Sequence, residues 1–333
     1  MIPELGRYVT LHKYSKDAPE FQVVEKPIPQ PAKGQVLIKI AASPINPSDL
    51  SFLRGEYGIK KELPCVPGFE ASGKVVASGG GFYANYLKGK NVACTAPSNG
   101  DGTWAEYMIA SASGCLPLGK DTDPEQGSMS IVNPLTALSL LEIARSKGAK
   151  SVVQSAAAGA LGQMIHRLAK KQGLEVINIV RRKEQSERLN AQGMSHILVS
   201  TENSFDSDLQ DLSHRLEATV AFDAVGGTMT GQIAAALPNN SHVIVYGGLS
   251  GDACELRPGA LIFQHQTIHG FWLSGYLSGM NPIRILRLSR SVQKLIRNEL
   301  RSEIRERYGL EGVARAVQDY TTTMSGGKVL IVP

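Results

Sequence analysis

The stretch Ser151 to Arg182, SVVQSAAAGALGQMIHRLAKKQGLEVINIVRR, constrains this chain more than any other. A β-branched run, 151–156, enters a turn of small residues. An amphipathic run, Leu161–Gln172, follows, and a second apolar run, Glu175–Val180, closes the segment. Strand, turn, helix and second strand in this order form a βαβ crossover, so the two strands must lie parallel. The turn sets Ala157, Gly159 and Gly162 in the spacing G-x-G-x-x-G, with alanine in the first place. In that pattern the first glycine makes a tight turn, the second admits a diphosphate close to the backbone, and the third lets helix and strand pack. The helix start at Ala160 and Leu161 then offers free N–H groups and the positive end of a dipole to the diphosphate. A small-residue turn that binds nothing is the competing reading, and the strand–turn–helix–strand context weighs against it.

The end of the second strand selects the dinucleotide. An Asp or Glu there holds a ribose 2′-hydroxyl, whereas an Arg accommodates a 2′-phosphate. This chain reads Val180-Arg181-Arg182-Lys183, with no acid before Glu184. Arg181 and Arg182 suit a phosphate, so the expected cofactor is NADPH.

Around this segment, helical and strand periodicity alternate from Pro124 onward. Helices are predicted at Glu125–Ser130, Pro134–Ser146 and Lys183–Gln192, and strands at His196–Val199, Val220–Asp223 and His242–Tyr246. That alternation predicts an α/β fold with a parallel sheet. Residues 1–120 read differently, as short strands (Val36–Ala42, Gly73–Ala77, Asn91–Ala96) broken by Gly and Pro, which predicts an all-β, barrel-like unit. A long helix, Pro282–Glu306, and a final strand, Gly327–Val332, end the chain.

Size and composition bound the partners. A chain of 333 residues suggests two domains. A net charge of +5 without a dense basic stripe gives no reason to expect nucleic acid. Four scattered cysteines, with no C-x-x-C pair, argue against a disulfide framework. No signal-like N-terminus and no apolar run of about 18 residues is present, so a cytoplasmic protein without a membrane span is expected.

Several stretches together resemble the medium-chain dehydrogenase/reductase superfamily over nearly the whole length. They are AASPINPSDLSFLRGEYG (41–58), PGFEASGKV (67–75), GTWAEY (102–107), VNPLTAL (132–138), INIVRR (177–182), AFDAVGG (221–227), GFWLSG (270–275) and GGKVLIVP (326–333). Within it the chain is most similar to mitochondrial-type trans-2-enoyl thioester reductases and to quinone reductases. The resemblance implies a Rossmann-type dinucleotide domain, 123–266, inserted into a GroES-like β-barrel domain built from 1–122 and 267–333. It also implies a homodimer. The zinc enzymes of the superfamily hold a catalytic metal with Cys, His and Cys, and the aligned places here carry Asn46, Phe69 and Asn133. None offers a thiolate or imidazole, so no metal is expected.

A zinc-free site can still pass hydride to a double bond conjugated with a carbonyl. The resemblance puts Tyr57, Asn46 and Trp272 at the chemistry, with Tyr57 donating a hydrogen bond or proton to the carbonyl. It puts Thr136, Tyr246, Gly247, Gly248, Phe271, Trp272, Leu273 and Lys328 around the cofactor, with Lys328 at its phosphates or ribose. His166 and His196 read as helix and loop residues rather than catalysts. The expected function is NADPH-dependent reduction of an α,β-unsaturated carbonyl compound such as a trans-2-enoyl thioester. Quinone reduction and NADPH binding without catalysis are the alternatives. The stretch from Arg284 to Arg307 carries eight basic residues against Glu299, Glu303 and Glu306, so it could receive an acidic acyl carrier protein or simply be a solvated basic face.

Overall fold

Ser151–Gln154 forms a strand buried along its whole length, as a strand covered on both faces must be. It lies inside a six-stranded, all-parallel sheet of the computed structural model, which describes residues 2–333. The strand order is Ile197–Val199, Glu175–Val180, Ser151–Gln154, Ala218–Asp223, His242–Val245, Thr267–Gly270. Counted along the chain this is 3-2-1-4-5-6, the doubly wound Rossmann order, and it reverses direction between Ser151–Gln154 and Ala218–Asp223. The strands and their crossovers belong to a compact unit spanning Asn133–Leu288.

The first crossover helix, Ala160–Lys171, buries Met164, Ile165, Leu168 and Ala169, one stripe at helical spacing. Lys170 and Lys171 complement its C-terminal dipole, and Gly173, at φ +71°, takes the left-handed position that ends it. Helices Phe205–Arg215 and Gly227–Ala236 supply Phe205, Leu209 and Ile233 to a core shared with Val153, Ile177 and Val243.

The second unit takes the chain up to Val132 and from Ser289 to Pro333. Its sheet runs Ile304–Tyr308, Lys328–Ile331, Gln35–Pro44, Glu70–Ser78, Asn91–Thr95, Cys115–Pro117, with Tyr107–Ser111 also paired to Gln35–Pro44. The two ends of the chain meet where Leu330 pairs with Pro44 and Ile331 with Ser43. An antiparallel hairpin, Leu5–Lys13 with Glu20–Pro27, packs beside it, and the wholly buried Trp104 shares a core with Phe52, Ile45 and Val329. This GroES-like unit is not all β: helices Pro47–Leu53 and Phe82–Leu87 interrupt it.

One expectation needs correction. The helix predicted over Pro282–Glu306 stops at Leu295, because Ile304–Tyr308 is drawn into parallel pairing with Lys328–Ile331. Phe271 and Trp272 follow the strand Thr267–Gly270, and Trp272 is the N-cap of a short helix, Leu273–Ser278. Among the described residues, no helix is long and apolar enough to cross a membrane.

Candidate cofactor and substrate residues

The small-residue turn after Ser151–Gln154 is built tightly. Ala156 adopts φ +51°, the Ala157 N–H donates to the Ile179 carbonyl (3.0 Å), and Gly159 N–H donates back to Ala156 (2.9 Å). Ala157 tolerates the place of the first glycine because its methyl is a core group, fully buried with Val180 and Leu189. Gly162 has no such latitude. A Cβ there would lie 2.7 Å from the Cα and carbonyl oxygen of Ala157, so only glycine allows this helix-to-turn approach. Gly159 is the N-cap and supplies no side chain to the helix N-terminus. The first N–H groups, of Ala160, Leu161 and Gly162, therefore have no side-chain cap at Gly159.

Polar groups missed in the sequence hold this turn from below. Gln154 Nε2 donates to the Gly162 carbonyl (3.0 Å) and to Asn178 Oδ1 (2.7 Å). Asn178 Nδ2 in turn donates to the carbonyls of Val176 and Ser195 (3.0 and 2.9 Å) and lies 3.3 Å from His166 Nδ1. Burial holds the His166 imidazole below its ordinary pKa, so it serves the network neutral. From the next helix, Arg188 Nη2 reaches the Ala158 carbonyl (3.0 Å).

The other predicted cofactor residues of this unit, Thr136 apart, follow the C-terminal ends of the strands. Arg181 and Arg182 follow Glu175–Val180 with exposed side chains, while their backbone N–H groups donate to Gln185 Oε1 (both 3.1 Å). Tyr246, Gly247 and Gly248 follow His242–Val245. A Cβ on Gly247 would meet the Ala224 carbonyl oxygen at 2.7 Å, whereas Gly248 has open space. Burial, then the Asp223 carboxylate, pushes the Tyr246 phenol well above its ordinary pKa, so it stays protonated. Phe271 donates its N–H to Val245 (2.8 Å) and packs on Tyr276, with centroids 5.2 Å apart. Trp272 is 47% exposed, Leu273 begins the short helix, and Thr136 is buried in the helix Val132–Ser146.

Asp223 ties these ends together at the point where strand order reverses. Its buried carboxylate accepts from Ser155 Oγ (2.7 Å), Thr230 Oγ1 (2.6 Å) and the N–H groups of Val225 and Gly226 (2.8 and 3.2 Å). The signal for it was the stretch AFDAVGG, in which a lone Asp ends an apolar strand.

In the GroES-like unit, Tyr57 follows the helix Pro47–Leu53 and packs on Phe69 with ring centroids 4.8 Å apart. Asn46 is the N-cap of that helix and is buried. Its Nδ2 donates to Glu70 Oε1 (2.8 Å), its backbone N–H to Asp49 Oδ2 (2.8 Å), and its Oδ1 accepts from the Lys328 ammonium. Lys328 thus has a different place from the one expected of it. It opens the last strand, its ammonium is enclosed with Asn46, Glu70 and Asp49, and it is 1% exposed rather than turned to a cofactor phosphate.

Comparison with known proteins agrees with this architecture. Residues 32–120 match the alcohol dehydrogenase GroES-like domain family, and residues 160–287 match the family described as zinc-binding dehydrogenase. The mitochondrial enoyl-[acyl-carrier-protein] reductase of Arabidopsis thaliana is 30% identical over 77% of this chain and 69% of its own. A crystal structure of a protein assigned as an NADPH:quinone reductase from Mesorhizobium loti superposes with a TM-score of 0.92, at 34% identity over 100% of both chains. A mycobacterial structure in complex with NADPH shares the fold, with a TM-score of 0.84 at 24% identity, over 98% of this chain and 100% of its own. The GroES-like unit, the doubly wound sheet and these relatives make this chain an oxidoreductase of the medium-chain dehydrogenase/reductase superfamily.

Proposed function

We propose that this protein uses NADPH to reduce an α,β-unsaturated carbonyl compound, a trans-2-enoyl thioester, without zinc. The observation that carries the cofactor choice is the exposed pair Arg181–Arg182 at the end of the second strand, with no carboxylate beside it until Glu184. The turn at Ala157–Gly162 fits a diphosphate, since Gly159 brings no side chain to the helix N-terminus and leaves its N–H groups uncapped, while Gly162 lets the helix approach the turn. Bound there, NADPH supplies the hydride.

A catalytic zinc does not fit the residues present. Asn46 already commits its amide oxygen, the atom that could ligate a metal, to Lys328, and Phe69 is a ring packed on Tyr57 and Phe52. Asn133 offers only a neutral amide, and the buried Lys328 ammonium would repel a divalent ion beside Asn46. The substrate must carry its own electron sink, and the protein supplies donors where charge develops on the carbonyl oxygen. Tyr57, a phenol able to donate, takes that role, with Asn46 as a second donor.

The thioester is favoured by the enoyl reductase likeness, and quinone reduction by the likeness to the Mesorhizobium protein. We further propose a homodimer, and an acidic acyl carrier protein as the bearer of the thioester. One assay separates these readings: oxidation of NADPH and of NADH with crotonyl-CoA and with a panel of small quinones. Turnover of crotonyl-CoA with NADPH, lost about 100-fold in Tyr57→Phe, is expected. Preference for quinones selects the second reading. No oxidation with any electrophile leaves a dinucleotide-binding protein, and stronger binding of NADH overturns the cofactor assignment.

A further inference from the structure

The cluster around Asn46 has a property that helix capping alone does not require. Asn46, Glu70 and Lys328 are each 1% exposed, and each stands at the start of an element: the helix Pro47–Leu53, the strand Glu70–Ser78 and the strand Lys328–Ile331. The carboxamide of Asn46 lies between a carboxylate and an ammonium. Nδ2 donates to Glu70 Oε1 at 2.8 Å, and Oδ1 accepts from Lys328 Nζ. Glu70 cannot turn away, because its second oxygen accepts the N–H groups of Ile131 (3.2 Å) and Val132 (2.9 Å). Lys328 is fixed by its strand, whose later residues Leu330 and Ile331 pair with Pro44 and Ser43.

An amide has an acceptor end and a donor end. Turned over, Asn46 would set its NH2 against the ammonium and its carbonyl oxygen against the carboxylate, and both contacts would be repulsive. The two charges therefore permit one orientation. In it, the second Nδ2 hydrogen remains uncommitted. We infer that Glu70 and Lys328 are positioning residues that lock the Asn46 carboxamide, so that a single N–H is held ready for the reacting carbonyl. The catalytic half of this inference rests on the role proposed above for Asn46; the lock itself does not.

The test uses the full-length protein, with asparagine side chains labelled with 15N and the Asn46 signal identified by its loss in Asn46→Ala. The variants are Lys328→Arg, which keeps the cation, and the neutral pair Glu70→Gln with Lys328→Met, which leaves no lone buried charge. In the wild type, one Asn46 Nδ2 proton is expected far downfield and protected from solvent exchange, as a donor to carboxylate. The neutral pair should bring it back toward the ordinary asparagine position, and Lys328→Arg should largely keep it. An unmoved signal in the neutral pair overturns the lock.

Kinetics then read its consequence. The neutral pair should lower kcat for crotonyl-CoA about 100-fold with KM and NADPH affinity nearly unchanged, and should do nothing further when it is combined with Asn46→Ala. Equal losses with and without Asn46→Ala would mean that Glu70 and Lys328 act only on the fold, and would overturn the positioning role. If the wild type reduces no enoyl thioester while the downfield signal follows the variants as expected, the substrate reading fails and the lock stands.

Discussion

Two residues carry consequences that can be measured singly. Asp49 is 1% exposed, and burial, with Glu70 nearby, raises its carboxyl from 3.8 to about 7 despite the Asn46 N–H and the Lys328 ammonium. The groups facing it are Glu70, Lys328 and the buried phenol of Tyr320. A pKa raised on folding means that the folded state favours the protonated form. That contribution is fully present below pH 3.8 and is lost as pH rises through about 7. Asp49→Asn keeps an acceptor for the Asn46 N–H and removes the ionisation. It should match the wild type in unfolding free energy near pH 4 and exceed it above pH 7 by a few kcal/mol, since each tenfold change in proton affinity is worth about 1.4 kcal/mol. Urea unfolding at both pH values checks this, and equal stabilities at pH 8 would contradict it. Gly162 is the second case. The 2.7 Å approach of an added Cβ is to backbone, which cannot swing aside. Gly162→Ala should cost about 1–3 kcal/mol of stability and weaken NADPH at least about tenfold, read by thermal unfolding and by quenching titration.

At the scale of elements, the basic stretch looks different once folded. Arg284 is spent on Glu142 (2.7 Å), Arg297 meets Asp121 (3.5 Å), Arg305 meets Asp319 (2.9 Å) and Arg307 meets Glu125 (2.6 Å). The helix Pro282–Leu295 buries Val292 and leaves Arg290 and Lys294 exposed, with no carboxylate paired to them among the described residues. Arg290→Glu with Lys294→Glu should therefore raise KM for a carrier-bound enoyl thioester about tenfold at low salt and leave crotonyl-CoA kinetics alone. Unchanged KM for the carrier-bound substrate would show that this helix face is merely solvated. The same helix marks where the sequence ceases to be informative. Leu295, Ile296 and Leu300 continue an apolar rhythm past the helix end, and what stops it is a pairing with Lys328–Ile331, far along the chain. Strands and helices between Ser151 and Ala191 were legible because each alternates on its own period and ends on its own turn residues. The helices Phe205–Arg215 and Gly227–Ala236 were not; the second starts within the glycine pair Gly226–Gly227 and sets only Met229 and Ile233 as large apolar residues among small ones. The phosphate turn and Arg181–Arg182 could be read because a local motif carries them. Gln154, Asn178, Arg188 and Asp223 could not be assigned, because their partners are brought to them only by the sheet.

In the molecule as a whole, the six-stranded sheet ends on Thr267–Gly270, which pairs with a neighbouring strand on one side among the described residues. Parallel sheets are ordinarily covered, yet the terminal strand Thr267–Gly270 is exposed at three of its four positions. Just before it, Leu261, Ile262 and Phe263 are 42%, 59% and 76% exposed, an apolar group beside unpaired strand donors and acceptors. A free edge with this flank invites a second strand, and the proposed homodimer would satisfy it with a second copy of the same margin, the self-complementary contact that a two-fold axis generates. Light scattering at micromolar concentration should then give the mass of two chains. Ile262→Glu with Phe263→Glu should give one chain without loss of thermal stability in the monomer, because both side chains already face solvent. NADPH titration of that monomer discriminates further. The diphosphate turn and Arg181–Arg182 lie on strands at the other side of the sheet order, so affinity should persist within about twofold. A wild type that sediments as a single chain, or a variant that stays paired, would rule this margin out as the contact.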